Sequence, residues 1–164
     1  MTRIGLLSDT HAYWDERYAK YFDECDEVWH AGDIGSLKLA EKFEQYKLFR
    51  AVFGNIDGQD IRLRYKKEQV FEIEGVKVFM THIGGYPGKY APGIASKLDL
   101  EQPKLFVCGH SHILRVKYDQ KRDMLCVNPG AAGRYGMQQV RTLLRFTIDG
   151  TDIRDMEVIE LGEK

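Results

Sequence analysis

The chain has 164 residues, of which 43% are hydrophobic and 30% are charged, with a formal net charge of -1. This length and composition are typical of a globular protein with a substantial core, and we expect a single domain over residues 1–164. The near-neutral charge argues against a dedicated nucleic-acid or anionic-membrane surface.

Cysteine use and the start of the chain indicate a reducing compartment. Cys25, Cys108 and Cys126 are scattered and odd in number, which argues against a disulfide framework or a CxxC metal site. The first residues run directly into strand-like sequence, without a signal-peptide pattern or an apolar run long enough to span a bilayer. We therefore expect a cytoplasmic protein without membrane association.

The first half of the chain alternates between predicted strands and helices. Short apolar runs that end in polar turns predict strands at residues 3–8, 27–31 and 47–53. Aromatic spacing indicates a helix within 14–23, and a second helix is predicted at 36–45 with Ser36 as its N-cap. This order predicts a largely parallel α/β sheet.

The second half has mostly the pattern of antiparallel β-structure. Turn signals predict three hairpins, which pair residues 69–73 with 76–81, 115–118 with 124–127, and 142–148 with 153–159. Residues 95–100 predict a short helix and 105–108 a buried strand. Residues 83–93, with four glycines and two prolines, predict a mobile loop.

Polar residues directly follow five of the predicted strands. They are Asp9, His11, Asp33, Asn55, His82, His110 and His112. Ligands of α/β sheets bind outside the carboxyl ends of the strands, so these side chains should converge. Seven nitrogen and oxygen donors exceed one tetrahedral ion and suit two ions that share a carboxylate. The imidazole and carboxylate mixture favours Mn, Fe, Zn, Co or Ni over calcium or magnesium.

Each motif has a simpler structural interpretation when it is taken alone. Asp9 with His11 can form a turn and a helix cap, and Gly32-Asp33 or Gly54-Asn55 can be ordinary turns. Only the ordered combination at strand ends is specific for a metal centre. His30 lies inside a predicted strand, and we interpret it as a satisfied core residue; a role in orienting a ligand stays open.

The ordered set Asp9-x-His11, Gly32-Asp33, Gly54-Asn55, His82 and Gly109-His110-x-His112 resembles that of the calcineurin-like metallophosphoesterases, over residues 4–112. The short chain and Asn128-Pro129-Gly130 resemble the small bacterial and archaeal phosphodiesterase branch, and the retromer subunit of the same fold is another relative. The resemblance implies a four-layer α/β/β/α sandwich of two mixed β-sheets flanked by helices.

The resemblance also implies a ligand scheme for two divalent ions, with Mn expected and Ni, Zn, Fe or Co as alternatives. The first ion would be held by Asp9, His11, Asp33 and His112. The second would be held by Asp33, Asn55, His82 and His110. Asp33 would bridge the two ions.

The expected activity is hydrolysis of small or activated phosphoesters, with phosphodiesters favoured. We expect direct attack by a metal-bridging hydroxide, with Asp33, Asn55 and His82 as catalytic residues and the Asn55 amide donating to a phosphate oxygen. Many family members carry a histidine after this asparagine, but Ile56 stands there and cannot protonate a leaving group. General acid catalysis contributes about 10²–10⁴-fold, so aryl esters should be preferred. Asp57 is interpreted as structural rather than as orienting a ligand.

Substrate contacts and partners are less determined by the sequence. Tyr86, Lys89 and Tyr90 of the glycine-rich loop, and Arg134, are either substrate contacts or ordinary surface residues. The alternative function is a non-catalytic metal-binding interaction module of the same fold. Nuclease activity is disfavoured because a basic patch is missing. Homo-oligomerisation stays open.

Overall fold

A computed structural model of the protein describes residues 1–163 and contains two five-stranded sheets. The helices are α1 (Glu16–Tyr21), α2 (Leu37–Tyr46), α3 (Gln59–Arg64) and α4 (Ile94–Glu101). The strands are β1 (Thr2–Leu7), β2 (Glu27–His30), β3 (Leu48–Ala51), β4 (Glu68–Ile73), β5 (Val76–Thr81), β6 (Gly85–Tyr86), β7 (Lys89–Tyr90), β8 (Leu105–Val107), β9 (Leu114–Asp119), β10 (Met124–Pro129), β11 (Val140–Asp149) and β12 (Asp152–Glu163).

Both sheets are mixed, as predicted. The first has the order β12-β11-β1-β2-β3, with β1, β2 and β3 parallel and β11 antiparallel to its two neighbours. The second has the order β4-β5-β8-β10-β9, with antiparallel pairs at both edges. The exception to the antiparallel pattern expected for the second half is β8, which pairs in parallel with β5 and β10.

Three buried clusters define the four layers of the sandwich. Ile4 and Leu6 of β1 belong to the cluster between the sheets, together with residues of β5, β8 and β11. Leu7 belongs to the cluster that joins the first sheet to α1, α2 and α3. A third cluster joins the second sheet to α4 through Leu98. The near-continuous apolar run of β1 is explained because both of its faces are covered.

Most predicted elements are confirmed, including the helix cap, where the Leu39 N–H donates to Ser36 Oγ over 3.2 Å. Two were not predicted. The helix α3 buries only Ile61, so its amphipathic pattern is weak, and the predicted loop at 83–93 contains the small hairpin β6–β7. The three cysteines are buried and free. None of the helices within residues 1–163 combines the length and apolarity needed to cross a membrane.

Candidate metal centre

The loops after β1, β2, β3, β5 and β8 bring all seven predicted site residues to one end of the sandwich. Asp9, His11 and His112 place ligand atoms within 4.8 Å of one another. Asp33, His82 and His110 form a second group by the same measure. These groups divide the residues as the predicted ligand scheme does.

Asp33 and Asn55 complete the arrangement. Asp33 Oδ2 lies 3.6 Å from His11 Nε2 in the first group and 3.2 Å from His82 Nε2 in the second. Its other oxygen, Oδ1, accepts a hydrogen bond from the Ile56 N–H over 3.0 Å. Asn55 Oδ1 lies 3.0 Å from His110 Nδ1. Asp33 therefore lies between the two ligand groups.

Two buried imidazole nitrogens in the centre, Nε2 of His11 and Nε2 of His82, find no hydrogen-bond partner among residues 1–163. His82 Nε2 lies 3.2 Å from Asp33 Oδ2 without forming a hydrogen bond to it. Buried polar atoms in native proteins are almost always paired, and each exception needs an explanation. A metal ion would satisfy both nitrogens, and the nitrogen and oxygen donor set fits first-row ions.

The pKa values of three imidazoles in the centre are shifted by the opposing effects of burial and of the carboxylates. Burial disfavours the charged form of His82, but contact with Asp33 and the charge of Asp9 outweigh it and raise its pKa. Contact with Asp9 raises the pKa of His112 against the effect of burial. Burial dominates at His11 and lowers its pKa. Burial tends to raise the pKa of Asp33, but contact with His82 outweighs burial and the pKa of Asp33 is lowered.

Hydrogen bonds fix the ring orientation of two histidines. His82 Nδ1 lies 2.7 Å from the Ala31 carbonyl, so Nδ1 carries the proton and Nε2 faces the carboxylates. His112 Nδ1 lies 2.9 Å from Gln138 Oε1, and the Gln138 amide nitrogen donates to the Gly133 and Tyr135 carbonyls. Such outer contacts are typical of metal-ligating histidines.

Backbone and hydroxyl donors orient Asp9 in the same way. Its Oδ2 accepts hydrogen bonds from Ser8 Oγ over 2.7 Å and from the His110 N–H over 3.1 Å. Its Oδ1 is left facing His112 Nε2 at 3.1 Å. The carboxylate is fully buried, so this orientation is fixed by the protein.

His30 is confirmed as a satisfied core histidine. The Gly32 N–H donates to its Nδ1, so Nε2 carries the proton and donates to Thr10 Oγ1, which in turn donates to the Ile34 carbonyl. Burial lowers the pKa of His30 to about 3, which keeps the ring neutral. Its contacts connect the loops after β1 and β2 rather than reaching a site residue directly.

Asp57 has a structural role, as expected. Its buried carboxylate accepts backbone hydrogen bonds from Ile34, Gly35 and Gly54 at 3.2, 2.8 and 2.8 Å. It thereby ties the loop that carries Asp33 to the loop that carries Asn55.

Five of the seven site residues have left-handed backbone conformations. They are Asp9, His11, Asp33, His110 and His112, with φ between 45° and 70°. This region is unfavourable for residues with a Cβ, and such strain is concentrated at functional sites.

Glycines next to the site residues allow their close approach. A Cβ on Gly54 would lie 2.0 Å from Asp33 Oδ1, and a Cβ on Gly109 would lie 2.2 Å from Ser8 Oγ. These contacts give a physical reason for glycine before Asn55 and before His110.

The segment after β10 supplies residues that the sequence did not reveal. The Tyr135 ring stacks on His11 with centroids 4.8 Å apart, and Gln138 holds His112. No local pattern marked either residue. Arg134, for which a phosphate contact and an ordinary surface role are both open, lies over the Tyr13 ring at 4.2 Å.

The tyrosines of the 83–93 loop are engaged by the second sheet. The Tyr90 hydroxyl donates to Asp119 Oδ2 over 2.6 Å, and Arg115 lies over the Tyr86 ring at 3.8 Å. These contacts favour the interpretation of both tyrosines as structural. Lys89 is exposed.

Comparison with known proteins identifies the family. Residues 2–151 match the calcineurin-like phosphoesterase superfamily domain. The chain belongs to the calcineurin-like phosphoesterase superfamily. It is 32% identical over 139 residues to a probable metallophosphoesterase of Mycoplasma pneumoniae, covering 80% of this chain and 79% of that one. It is 27% identical over 165 residues to a probable metallophosphoesterase of Methanothermobacter thermautotrophicus, covering 97% and 92%.

The fold is shared with Vps29. The structure is similar to that of Vps29 complexed with Zn²⁺ from Entamoeba histolytica, with a TM-score of 0.76, 14% identity and coverage of 98% of both chains. This likeness confirms the predicted α/β/β/α sandwich, and at such identity it concerns the fold alone.

Proposed function

We propose that this superfamily member is a phosphoesterase that requires two divalent metal ions and favours phosphodiesters. The observation that carries the proposal is the pair of ligand groups that meet at Asp33, with unpartnered nitrogens on His11 and His82. The first ion would be held by Asp9, His11, Asp33 and His112. The second would be held by Asp33, Asn55, His82 and His110. Mn²⁺ is the proposed metal.

When bound, two divalent ions neutralise phosphoryl charge and make water acidic enough to act as a nucleophile near neutral pH. The residues of the chain prepare this chemistry. Asp33 holds the two groups at a fixed separation, and His82 is oriented by the Ala31 carbonyl. In this proposal the amide of Asn55, which is exposed, would donate a hydrogen bond to a phosphate oxygen.

One feature supports activated substrates. Ile56, with 46% of its surface exposed, follows Asn55 and offers no proton to a leaving group.

The test is hydrolysis of a chromogenic phosphodiester and the matching monoester by metal-stripped protein after addition of Mn²⁺, Ni²⁺, Zn²⁺ or Mg²⁺. Asp33→Asn and His110→Ala should lose nearly all turnover. Asp155→Asn is the matched control, because this carboxylate is exposed on β12 and Asn also tolerates its positive φ. Equal turnover by the three variants would contradict the proposal.

The second candidate is a non-catalytic metal-binding interaction module, which the structural similarity to Vps29 favours. Folded protein that binds two ions but turns over neither ester with any metal would select this candidate. Absence of metal binding would exclude both.

A further inference from the structure

We propose that a cavity beside the second ligand group is the subsite for the organic group of the phosphoester, and that this group carries an anion of its own. The inference rests on the proposed phosphoesterase function and names its substrate class. The cavity lies between the loop after β3, α3, the β4–β5 hairpin and the start of α4.

The position of the cavity links it to the metal centre. Gly54, Asn55 and His82 form part of its wall, so a phosphoester held between Asn55 and His82 has its substituent directed to an adjoining space. The volume is about 360 Å³. Since a cavity of about 150 Å³ accommodates benzene, this space takes one ring with substituents.

The walls combine an apolar lining with a charged rim. The apolar lining comes from Phe53, Ile83, Ala91, Pro92 and Ile94. Ile94 is buried within the cluster that covers the second sheet, and Phe53 packs against the cluster that covers the first. This lining suits a flat hydrocarbon or aromatic group.

The rim holds three cations, Arg62, Lys67 and Lys97, and one carboxylate, Glu68. Lys97 Nζ pairs with Glu68 at 2.5 Å. The Arg62 guanidinium lies 4.6 Å from the centre of the Phe53 ring and donates to the Asn55 carbonyl over 3.2 Å. The rim therefore has an excess of two positive charges in a chain whose net charge is -1.

Lys67 is the cation best placed to bind the anionic group on the organic part of the ligand. It is exposed at the cavity rim, and within residues 1–163 no carboxylate forms an ion pair with it. Arg62 and Lys97, by contrast, are already engaged. The expected substrates are phosphoesters whose organic part is a ring that carries a carboxylate or a second phosphate.

Binding of non-hydrolysable phosphonates to the Mn²⁺-loaded protein, measured by calorimetry, tests the inference. Phenylphosphonate should bind more tightly than methylphosphonate, and 4-carboxyphenylphosphonate should gain a further factor of about two to five, as expected for one exposed ion pair. The second gain should shrink in high salt. A benzene-1,4-diphosphonate arm, which is also non-hydrolysable, distinguishes recognition of a carboxylate from recognition of a phosphate-like dianion.

Variants assign the gain to residues. Lys67→Met should abolish the carboxylate gain and leave phenylphosphonate binding unchanged, while Lys121→Met, in the β9–β10 turn outside the cavity, should change neither. Ala91→Trp fills the cavity and should reduce both aryl ligands to the affinity of methylphosphonate. The subsite alone would be overturned if the protein turns over esters and binds methylphosphonate but gains no affinity from the ring or the carboxylate. It would also be overturned if the carboxylate gain in affinity persists in Lys67→Met. Failure of methylphosphonate to bind, together with absent turnover, would overturn the proposed function as well.

Discussion

Replacing Gly54 with alanine adds one methyl group and removes no ligand, yet it should disable the metal centre. The new Cβ would lie 2.0 Å from Asp33 Oδ1 and 2.3 Å from the Asp33 backbone nitrogen. Real Cβ atoms essentially never approach within 3.0 Å, so the atoms must separate by about 1 Å or more. Gly54 does not have a positive φ, so space rather than backbone conformation is the obstacle.

The magnitude follows from what Asp33 contacts. A 1 Å displacement of the carboxylate changes its distances to His11 and His82 together, so both ion sites are affected. Disturbing the support of metal ligands typically costs 10–100-fold in affinity, and we expect about 100-fold or more here because Asp33 itself moves. Overpacking should also cost about 1–3 kcal/mol of unfolding free energy, beyond the gain of about 0.4–1 kcal/mol from removing a glycine.

The assay is calorimetric titration of the metal-stripped protein with Mn²⁺, together with thermal unfolding. The matched control is Gly58→Ala in the same loop, where the nearest atom to the new Cβ, Asp60 Oδ1, is 3.5 Å away. This variant should bind Mn²⁺ as the parent does. If Gly54→Ala binds two ions with unchanged affinity, the assignment of Asp33 as the bridge is refuted.

Three further predictions concern the surroundings of the metal centre. Gln138→Leu should weaken binding of the first ion by about tenfold. It should also leave the position of the His112 ring proton unfixed, which ¹⁵N NMR of the ring would detect, and an unchanged tautomer would contradict the role of Gln138. Metal affinity should fall as pH decreases, beginning above pH 6.5, because protons compete for His82 and His112, whose pKa values are raised; calorimetry from pH 8 to 5.5 tests this, and pH-independent affinity would oppose it. Because Ile56 donates no proton, turnover should fall steeply as the leaving-group pKa rises across a series of aryl esters, and Ile56→His should flatten that dependence.

The grouping of the seven site residues could be predicted because of a general property of sheets. Asp9, Asp33 and Asn55 follow parallel neighbouring strands, whose carboxyl ends share one edge. Each residue also follows a short apolar run that is readable locally. The fold could be predicted in the same way, from the alternation of strands and helices and from the hairpin turns.

Other features depend on tertiary contacts that leave no local trace. Gln138 lies 26 positions from His112 and its segment has no regular pattern. The parallel pairing of β8 with β10 joins segments separated by β9, and no turn residue marks it. The cavity beside the second ligand group requires α3, whose single buried residue, Ile61, gives too weak a pattern to predict a helix.

The strained backbone of the site argues for a centre that binds metal rather than for a purely structural arrangement. A left-handed conformation costs about 1–2 kcal/mol for a residue with a Cβ, so five such site residues cost an amount comparable to the whole stability of many domains. A metal ion that binds the folded state but not the unfolded state can offset that cost.

His110 isolates this effect, because its φ is 70° and its side chain is exposed. His110→Ala and His110→Gly both remove the imidazole, but only glycine relieves the backbone. In metal-free protein the glycine variant should therefore be more stable than the alanine variant by about 1 kcal/mol in urea unfolding. Both variants should bind the second ion poorly, so the more stable one should still be inactive. Equal stability of the two variants would show that the loop after β8 carries no strain. The left-handed backbone of His110 would then cost no stability that metal binding has to offset.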